Sequence, residues 1–313
     1  MFRKHAVAQY SCQSDTASTY DRAVQVKRFI DEYSAVARLY GVTPSELNER
    51  DRQSRQNLQR WIAISGSAVV GAVSLWKRPD NRTFARFVGD PSAVDRLSHE
   101  AALIAGPSLY VSVEESEAEL VQHLTAAGFR AEGISDGFDI TFSSALDLFG
   151  KSPLPSGFSI VSAGDVDRDR LFTLDNTLRQ DVPGCDGWRG DRQWFFDELE
   201  ESPPFDPGAY LVGLDKKNDE FAGLIRIWRN PSGPKLGLVG VARQYRNSML
   251  APALLRKALE ASSTWGFSVF KADVSPSNDV VYPRMRRLNA VQTSRHMQMV
   301  RLDRQPSAGD ARY

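Results

Sequence analysis

The stretch that decides the reading is LGLVGVARQYRNSMLAPALLRKAL, residues 236–259. An apolar run, 236–241, passes directly into a basic, polar turn. A long segment follows with Leu250, Leu254, Leu255, Ala258 and Leu259 on one helical face. A strand-to-helix turn of this kind leaves main-chain N–H groups without partners at the helix start. Those donors and the positive end of the helix dipole together make an anion site. Arg243, Arg246 and Arg256 add fixed positive charge, so a diphosphate is the natural guest. Pro252 falls in the first helical turn, where a missing N–H does no harm.

Working outward, 267–274 reads as a strand and 279–288 as a short helix, with Asn278 between them, and 291–302 is a final strand. Upstream, 209–214 and 221–228 read as strands, and 229–235 is a turn carrying Asn-Pro-Ser-Gly-Pro. Helices at 165–179 and 191–199 flank a Pro/Gly-rich loop. The first half repeats this order. A helix is expected over 21–40, closed by Gly41. Thr43-Pro44-Ser45-Glu46 has the pattern of a capping box that starts a second helix. Strands at 61–65 and 68–76 flank Gly66-Ser67, with a further strand at 83–88. Helix 91–105, strand 108–113, helix 114–127 and a β-like segment 129–142 complete the half. LDLFGKSPLPSG, 146–157, is the linker candidate. The shared order implies a duplication, with units at 20–145 and 158–303 and a mixed α/β (α+β) architecture around a central sheet.

Bulk properties agree. A chain of 313 residues favours two domains, and 42% hydrophobic with 25% charged residues is the composition of a globular protein. Lys+Arg and Asp+Glu are 39 each, which argues against a broad nucleic-acid footprint. Cys12 and Cys185 show no metal-ligand or CxxC spacing, so no metal is expected. No run approaches the ~20 apolar residues of a membrane span, and the N-terminus does not read as a secretory signal. A cytoplasmic protein without a membrane partner is expected.

At residues 236–278 the chain resembles the GCN5-related N-acetyltransferase (GNAT) superfamily. Its loop signature, Arg/Gln-x-x-Gly-x-Gly/Ala, falls on Arg246-Asn247-Ser248-Met249-Leu250-Ala251. The preceding strand, with Val239 and Val241, and the later Asn278 fit the same pattern, Asn278 matching the family asparagine that contacts the pantetheine arm. The resemblance implies two tandem acyl-CoA N-acyltransferase domains using acetyl-CoA as co-substrate and an amine of a small molecule or peptide as acceptor. It implies that main-chain donors of Val241 and of residues 246–251 hold the thioester carbonyl and the diphosphate. Leu-Thr-Ala-Ala-Gly-Phe, 124–129, looks like the family's terminal Leu-Gly-Phe turn. The N-terminal half lacks the loop, however. It places Asp90 where the anion would sit, which reads as a degenerate copy.

Three departures mark the C-terminal half. Met249 stands for the loop glycine and is expected to crowd it, Met285 for a tyrosine acid, and Asn289-Ala290 for Gly-Phe. Tyr282, one turn before Met285, reads as the acid for the leaving thiolate or as a packing tyrosine. Asp273, at a strand end, reads as a base or as a salt-bridged edge carboxylate. Asn278 also suits a helix N-cap. The loop 174–188, with Asp175, Asp181 and Asp186, covers the acceptor pocket by resemblance and would suit a cationic amine. Two further readings stand beside the enzyme. One is a non-catalytic binding or regulatory protein; the other is a transferase using a different acyl donor, such as an aminoacyl-tRNA.

Overall fold

The computed structural model describes residues 24–53, 59–185, 188–201 and 205–302. The N-terminal half runs β1 (Gln25–Arg28), α1 (Tyr33–Tyr40), α2 (Pro44–Gln53), β2 (Gln59–Ser65), β3 (Ala68–Lys77) and β4 (Thr83–Gly89). It continues through α3 (Val94–Ala105), β5 (Ser108–Glu114), α4 (Ala118–Ala126) and β6 (Arg130–Thr141). After α5 (Phe142–Phe149), the C-terminal half runs β7 (Phe158–Ser162), α6 (Arg168–Arg179), α7 (Arg192–Glu201), β8 (Tyr210–Asp215), β9 (Glu220–Asn230) and β10 (Gly233–Val241). It ends with α8 (Leu250–Ser262), β11 (Val269–Val274), α9 (Tyr282–Arg287) and β12 (Val291–Leu302).

Among the described residues all strands join one 12-stranded sheet in the order β1-β2-β3-β4-β5-β12-β6-β11-β10-β9-β8-β7. Only β4 with β5 and β10 with β11 run parallel; every other neighbour is antiparallel. The order reveals an exchange. β12, the last strand of the second half, lies against β5 of the first, and β6, the last strand of the first half, lies against β11 of the second. Each half of the sheet is thus completed by the other's final strand, and side chains seal the exchange. Arg301 on β12 donates to Ser98 on α3 at 3.0 Å, and Tyr282 on α9 donates to Asp136 on β6 at 2.6 Å.

Helices cover both faces of each half, because the strands are apolar on both sides. One face of the first half packs on α1 and α2 through Val36, Ala37 and Leu47, the other on α3 and α4 through Leu97, Ala101 and Leu124. In the second half α6 and α7 cover Tyr210, Val212, Leu224 and Leu238. The opposite face packs Leu250, Leu254, Ala258 and Leu259 of α8 on Leu211, Ile225 and Ile227.

The structure corrects the expected elements in three places. Residues 25–28 form a strand, so the helix expected over 21–40 begins only at Tyr33. β7 is a strand that the sequence reading did not include. These are the two outermost strands of the sheet. They are short and not fully buried, so they lack a clear inside–outside alternation. The expected linker 146–157 begins inside α5, which Thr141 caps by accepting from Ser144 N–H and whose Phe142 and Ala145 join the core under α8. Elsewhere local chemistry does what was expected of it. Gly41 closes α1 in the left-handed conformation, and Thr43 and Glu46 exchange capping hydrogen bonds at the start of α2. The expected arm 1–19 and tail 304–313 lie outside the described residues.

Candidate functional site

β10 and β11 pair only at Lys235–Lys271 and Leu236–Ala272, although β10 continues to Val241 and β11 to Val274. The strands therefore part just where the register on β9 shifts between Leu236 and Leu238. A parallel pair that splits leaves an edge of β10, including Val239 and Val241, without a ladder partner from β11. The opening faces the C-terminal strand ends, where the chain turns into α8. Parallel β4 and β5 likewise pair only at three positions, Thr83–Leu109 to Ala85–Val111.

The turn 242–249 is fixed from below. Tyr245 donates its hydroxyl to both Glu220 (2.6 Å) and Asp215 (2.9 Å) at the β8–β9 turn. These carboxylates, Glu220 first, and burial push its pKa up to about 12. Gly213 lets α8 start close to the sheet, since the Leu250 methyls lie where a Cβ would be, the nearest at 2.8 Å. Above this support residues 246, 247 and 249 are exposed. Ser248 N–H bonds Tyr245 C=O (3.0 Å), Arg246 N–H makes a long bond to Arg243 C=O (3.4 Å), and Leu250 N–H meets Ser248 Oγ (3.3 Å). The N–H groups of Asn247, Met249 and Ala251 have no acceptor among the described residues. Met249 adopts φ 62°, the left-handed conformation of a glycine position, and the residue is 58% exposed. It therefore stands outside the loop, not in it.

Two arginines of the same turn, Arg243 and Arg246, precede these amides, and one carboxylate holds both. Asp181 accepts from Arg243 at 2.6 Å and from Arg246 at 2.5 Å. The Arg243 hydrogen bond, ahead of the charges of both arginines, keeps the Asp181 carboxyl below the usual carboxylate range. Arg256 lies further along α8 and pairs loosely with Glu260 at 3.8 Å.

The other expected residues fall as follows. Asn278 caps the turn into α9, its Oδ1 accepting from Val281 N–H at 2.9 Å. Tyr282 donates to Asp136, which also receives Arg295 Nε (2.7 Å) and Nη2 (3.0 Å). The Asp136 carboxylate raises the Tyr282 pKa, and Arg295 lowers that of Asp136. Met285 is 7% exposed and packs in the α8 core. Asn289 takes φ 48°, as its counterpart Gly128 takes φ 88°. Asp273 pairs with Lys235 at 2.6 Å beside the parting of the strands, both side chains nearly half exposed. Asp175 is not on a loop. It lies in α6, is 3% exposed and is tied to Arg179 at 2.6 Å, so it is no surface acid for an acceptor. Asp186 lies outside the described residues.

Two contributions escaped the sequence. Asp136 is 146 positions from Tyr282, and only the strand exchange brings them together. Arg226 is buried on β9 opposite Leu238, against Glu198 (3.0 Å), with its guanidinium stacked on the Trp228 ring. A charge within an otherwise apolar strand was the available signal.

Residues 174–288 match the model of the acetyltransferase (GNAT) family. A GCN5-related N-acetyltransferase from Sphaerobacter thermophilus superposes with a TM-score of 0.65 at 16% identity, covering 90% of this chain and 96% of that one. A tandem GNAT protein from the clavulanic acid biosynthesis pathway gives 0.61 at 13% identity, covering 90% and 98%. No curated protein gives a significant sequence match. Residues 174–288 are thus similar to the GNAT family, and the chain as a whole has the tandem GNAT fold. Among the described residues no helix is long and apolar enough to cross a membrane, and no cluster of His, Cys, Asp or Glu is arranged to hold a metal.

Proposed function

We propose that this chain is an N-acetyltransferase that moves an acetyl group from acetyl-CoA to an amine of a small molecule or peptide by direct attack. The observation that carries the proposal is the set of unpartnered N–H groups at Asn247, Met249 and Ala251, in the turn that carries Arg243 and Arg246 and follows the parted strand β10. Such donors suit a diphosphate. The unpaired edge of β10 at Val239 and Val241 suits an extended amide-bearing arm, and Asn278 retains its side-chain N–H₂ for the same arm. Acetyl-CoA supplies the activated thioester. The chain's contribution is to align it, to polarise its carbonyl with main-chain donors and to exclude competing geometries.

Asp273 is the proposed base. It must leave Lys235, a half-exposed pair worth at most ~1 kcal/mol. Tyr282 is the proposed acid at the departing thiolate. Its raised pKa keeps the proton on the phenol throughout the neutral range. The N-terminal half takes no cofactor in this account and contributes β6 with Asp136. Of the expected acceptor acids, Asp175 drops out, and Asp181 faces the loop arginines.

Met285, apolar and buried, favours a second reading: a GNAT-like protein that binds without turnover. One assay separates them. Incubation with acetyl-CoA and a panel of amines, following free thiol, should show amine-dependent release. Acetyl-CoA binding with no release for any amine would favour the non-catalytic reading.

A further inference from the structure

We infer that the acceptor is a short peptide bound across the seam between the two halves, on the open side of β11, β6, β12 and β5, so that strands of the N-terminal half hold the body of a molecule whose amine reacts in the C-terminal half. The inference rests on the acetyl-CoA reading above and names the acceptor for it. Among the described residues, none on these four strands joins the core under α1 and α2 or the core under α6 and α7. Leu109, Val111, Phe138, Phe270 and Ala272 of these strands pack on the opposite side of the sheet. The alternate positions therefore form a strip that no helix core covers.

Strand register lays the strip out. Asp273 on β11 stands opposite Gly137 on β6, and Gly137 opposite Ser294 on β12. One step along, Ser135 stands opposite His296, and His296 opposite Glu114 on β5. Ser112 is the next residue of β5 on this side, and both it and Glu114 are exposed. A Cβ at Gly137 would run into the Ser294 hydroxyl and stand 3.7 Å from the Asp273 carboxylate, so the glycine keeps the floor low beside the proposed base. The side chains of Ser112, Ser135, Ser294 and His296 hydrogen-bond to no described residue. From β11 to β5 is three strand spacings, about 14 Å, which is the reach of about four extended peptide residues. Hydroxyls and an imidazole suit the N–H and C=O groups that a peptide repeats along its length. An apolar body would leave them unpaired, and a single amine would leave them unused.

The test uses the full chain, saturating acetyl-CoA and glycine peptides with amidated C-termini, from glycinamide to pentaglycinamide, with free thiol as the readout. From glycinamide to the tetrapeptide kcat/KM should rise about tenfold, the worth of one to two net hydrogen bonds, and it should level off beyond that length. Ser112→Trp puts bulk on β5, three strands from Asp273. It should bring the tetrapeptide about tenfold down, to the value of glycinamide. Calorimetric titration with acetyl-CoA checks that the variant is folded, and His296→Ala takes its place if it is not. Equal kcat/KM at every length, turnover of single amines but of no peptide, or a length dependence that both variants keep would overturn the inference and leave the acetyl-CoA reading standing. No amine-dependent thiol release at all would remove the transferase reading and this inference with it.

Discussion

The two strand-to-helix junctions of this molecule occupy equivalent places and handle the same electrostatic problem differently. In the N-terminal half the junction is four residues, 90–93; in the C-terminal half it is eight, 242–249. In the short one, Asp90 accepts from Ser92 N–H at 2.9 Å and Ala93 N–H bonds Asp90 C=O at 3.0 Å, while Pro91 has no N–H to offer. The helix start is capped by its own carboxylate. In the long one, the extra residues raise Asn247 and Met249 away from any acceptor, and the carboxylate that neutralises the site, Asp181, comes from a distant loop. Both halves place a negative charge at the helix start. Only in the second does that charge come from a separate segment of the chain. The comparison teaches that a shorter loop with one capping carboxylate satisfies every N–H of its junction, whereas the longer loop leaves Asn247 and Met249 without an acceptor among the described residues.

The comparison breaks most visibly at Arg246. Arg246→Glu gives the C-terminal junction a fixed carboxylate, as the N-terminal one has. Acetyl-CoA affinity by calorimetry should fall about 100-fold, the value of a charge-assisted contact turned to repulsion. Next comes Tyr282, whose counterpart helix α4 offers no tyrosine. Tyr282→Phe should lower kcat about 10²-fold or more, with the substrate KM little changed. The pH profile sharpens the point. Asp136 raises the Tyr282 pKa, so the phenol stays protonated above its ordinary value of 10.0 and the alkaline limb lies above it. Asp136→Asn removes the carboxylate that disfavours the phenolate, and the limb should move to lower pH. An unmoved limb in Asp136→Asn would exclude Tyr282 as the acid.

Smaller effects follow. Asp90→Ala should cost about 1 kcal/mol through the lost cap, read as a lower Tm. In an Arg246→Glu background it should create no acetyl-CoA binding, because it uncovers the Ser92 N–H alone: Ala93 N–H stays on the Asp90 C=O and Pro91 has no N–H. Met249→Gly should add about 1 kcal/mol of stability, since glycine accepts φ 62° without strain. Its affinity for acetyl-CoA should hardly change, because the Met249 side chain is already outside the loop.

The loop was legible because its chemistry is local. The strand, the basic turn and the apolar face of α8 lie within residues 236–259, and helix periodicity and dipole arguments act at that range. The left-handed residue could also be read, since a family glycine position at 249 asks for positive φ whatever side chain it carries. What was not legible is long-range. β1 and β7 are edge strands, and half-exposed edges do not alternate cleanly. The exchange of β6 and β12 leaves no mark in either strand, because each would satisfy the same ladder in its own half. With it went the Asp136–Tyr282–Arg295 cluster. Asp181 was visible as an acid, but a sequence does not say whether an acid faces an amine substrate or an arginine of its own chain. The buried Asp175 shows the same limit.

The central claim is that main-chain donors at 246–251 receive the diphosphate. Backbone amide resonances followed while acetyl-CoA is added test it directly. The account predicts the largest shifts, and protection from exchange, at Asn247, Met249 and Ala251, with Ser92 and Ala93 unmoved. Shifts centred on residues 90–94, or saturable binding that leaves 247–251 unchanged, would contradict it.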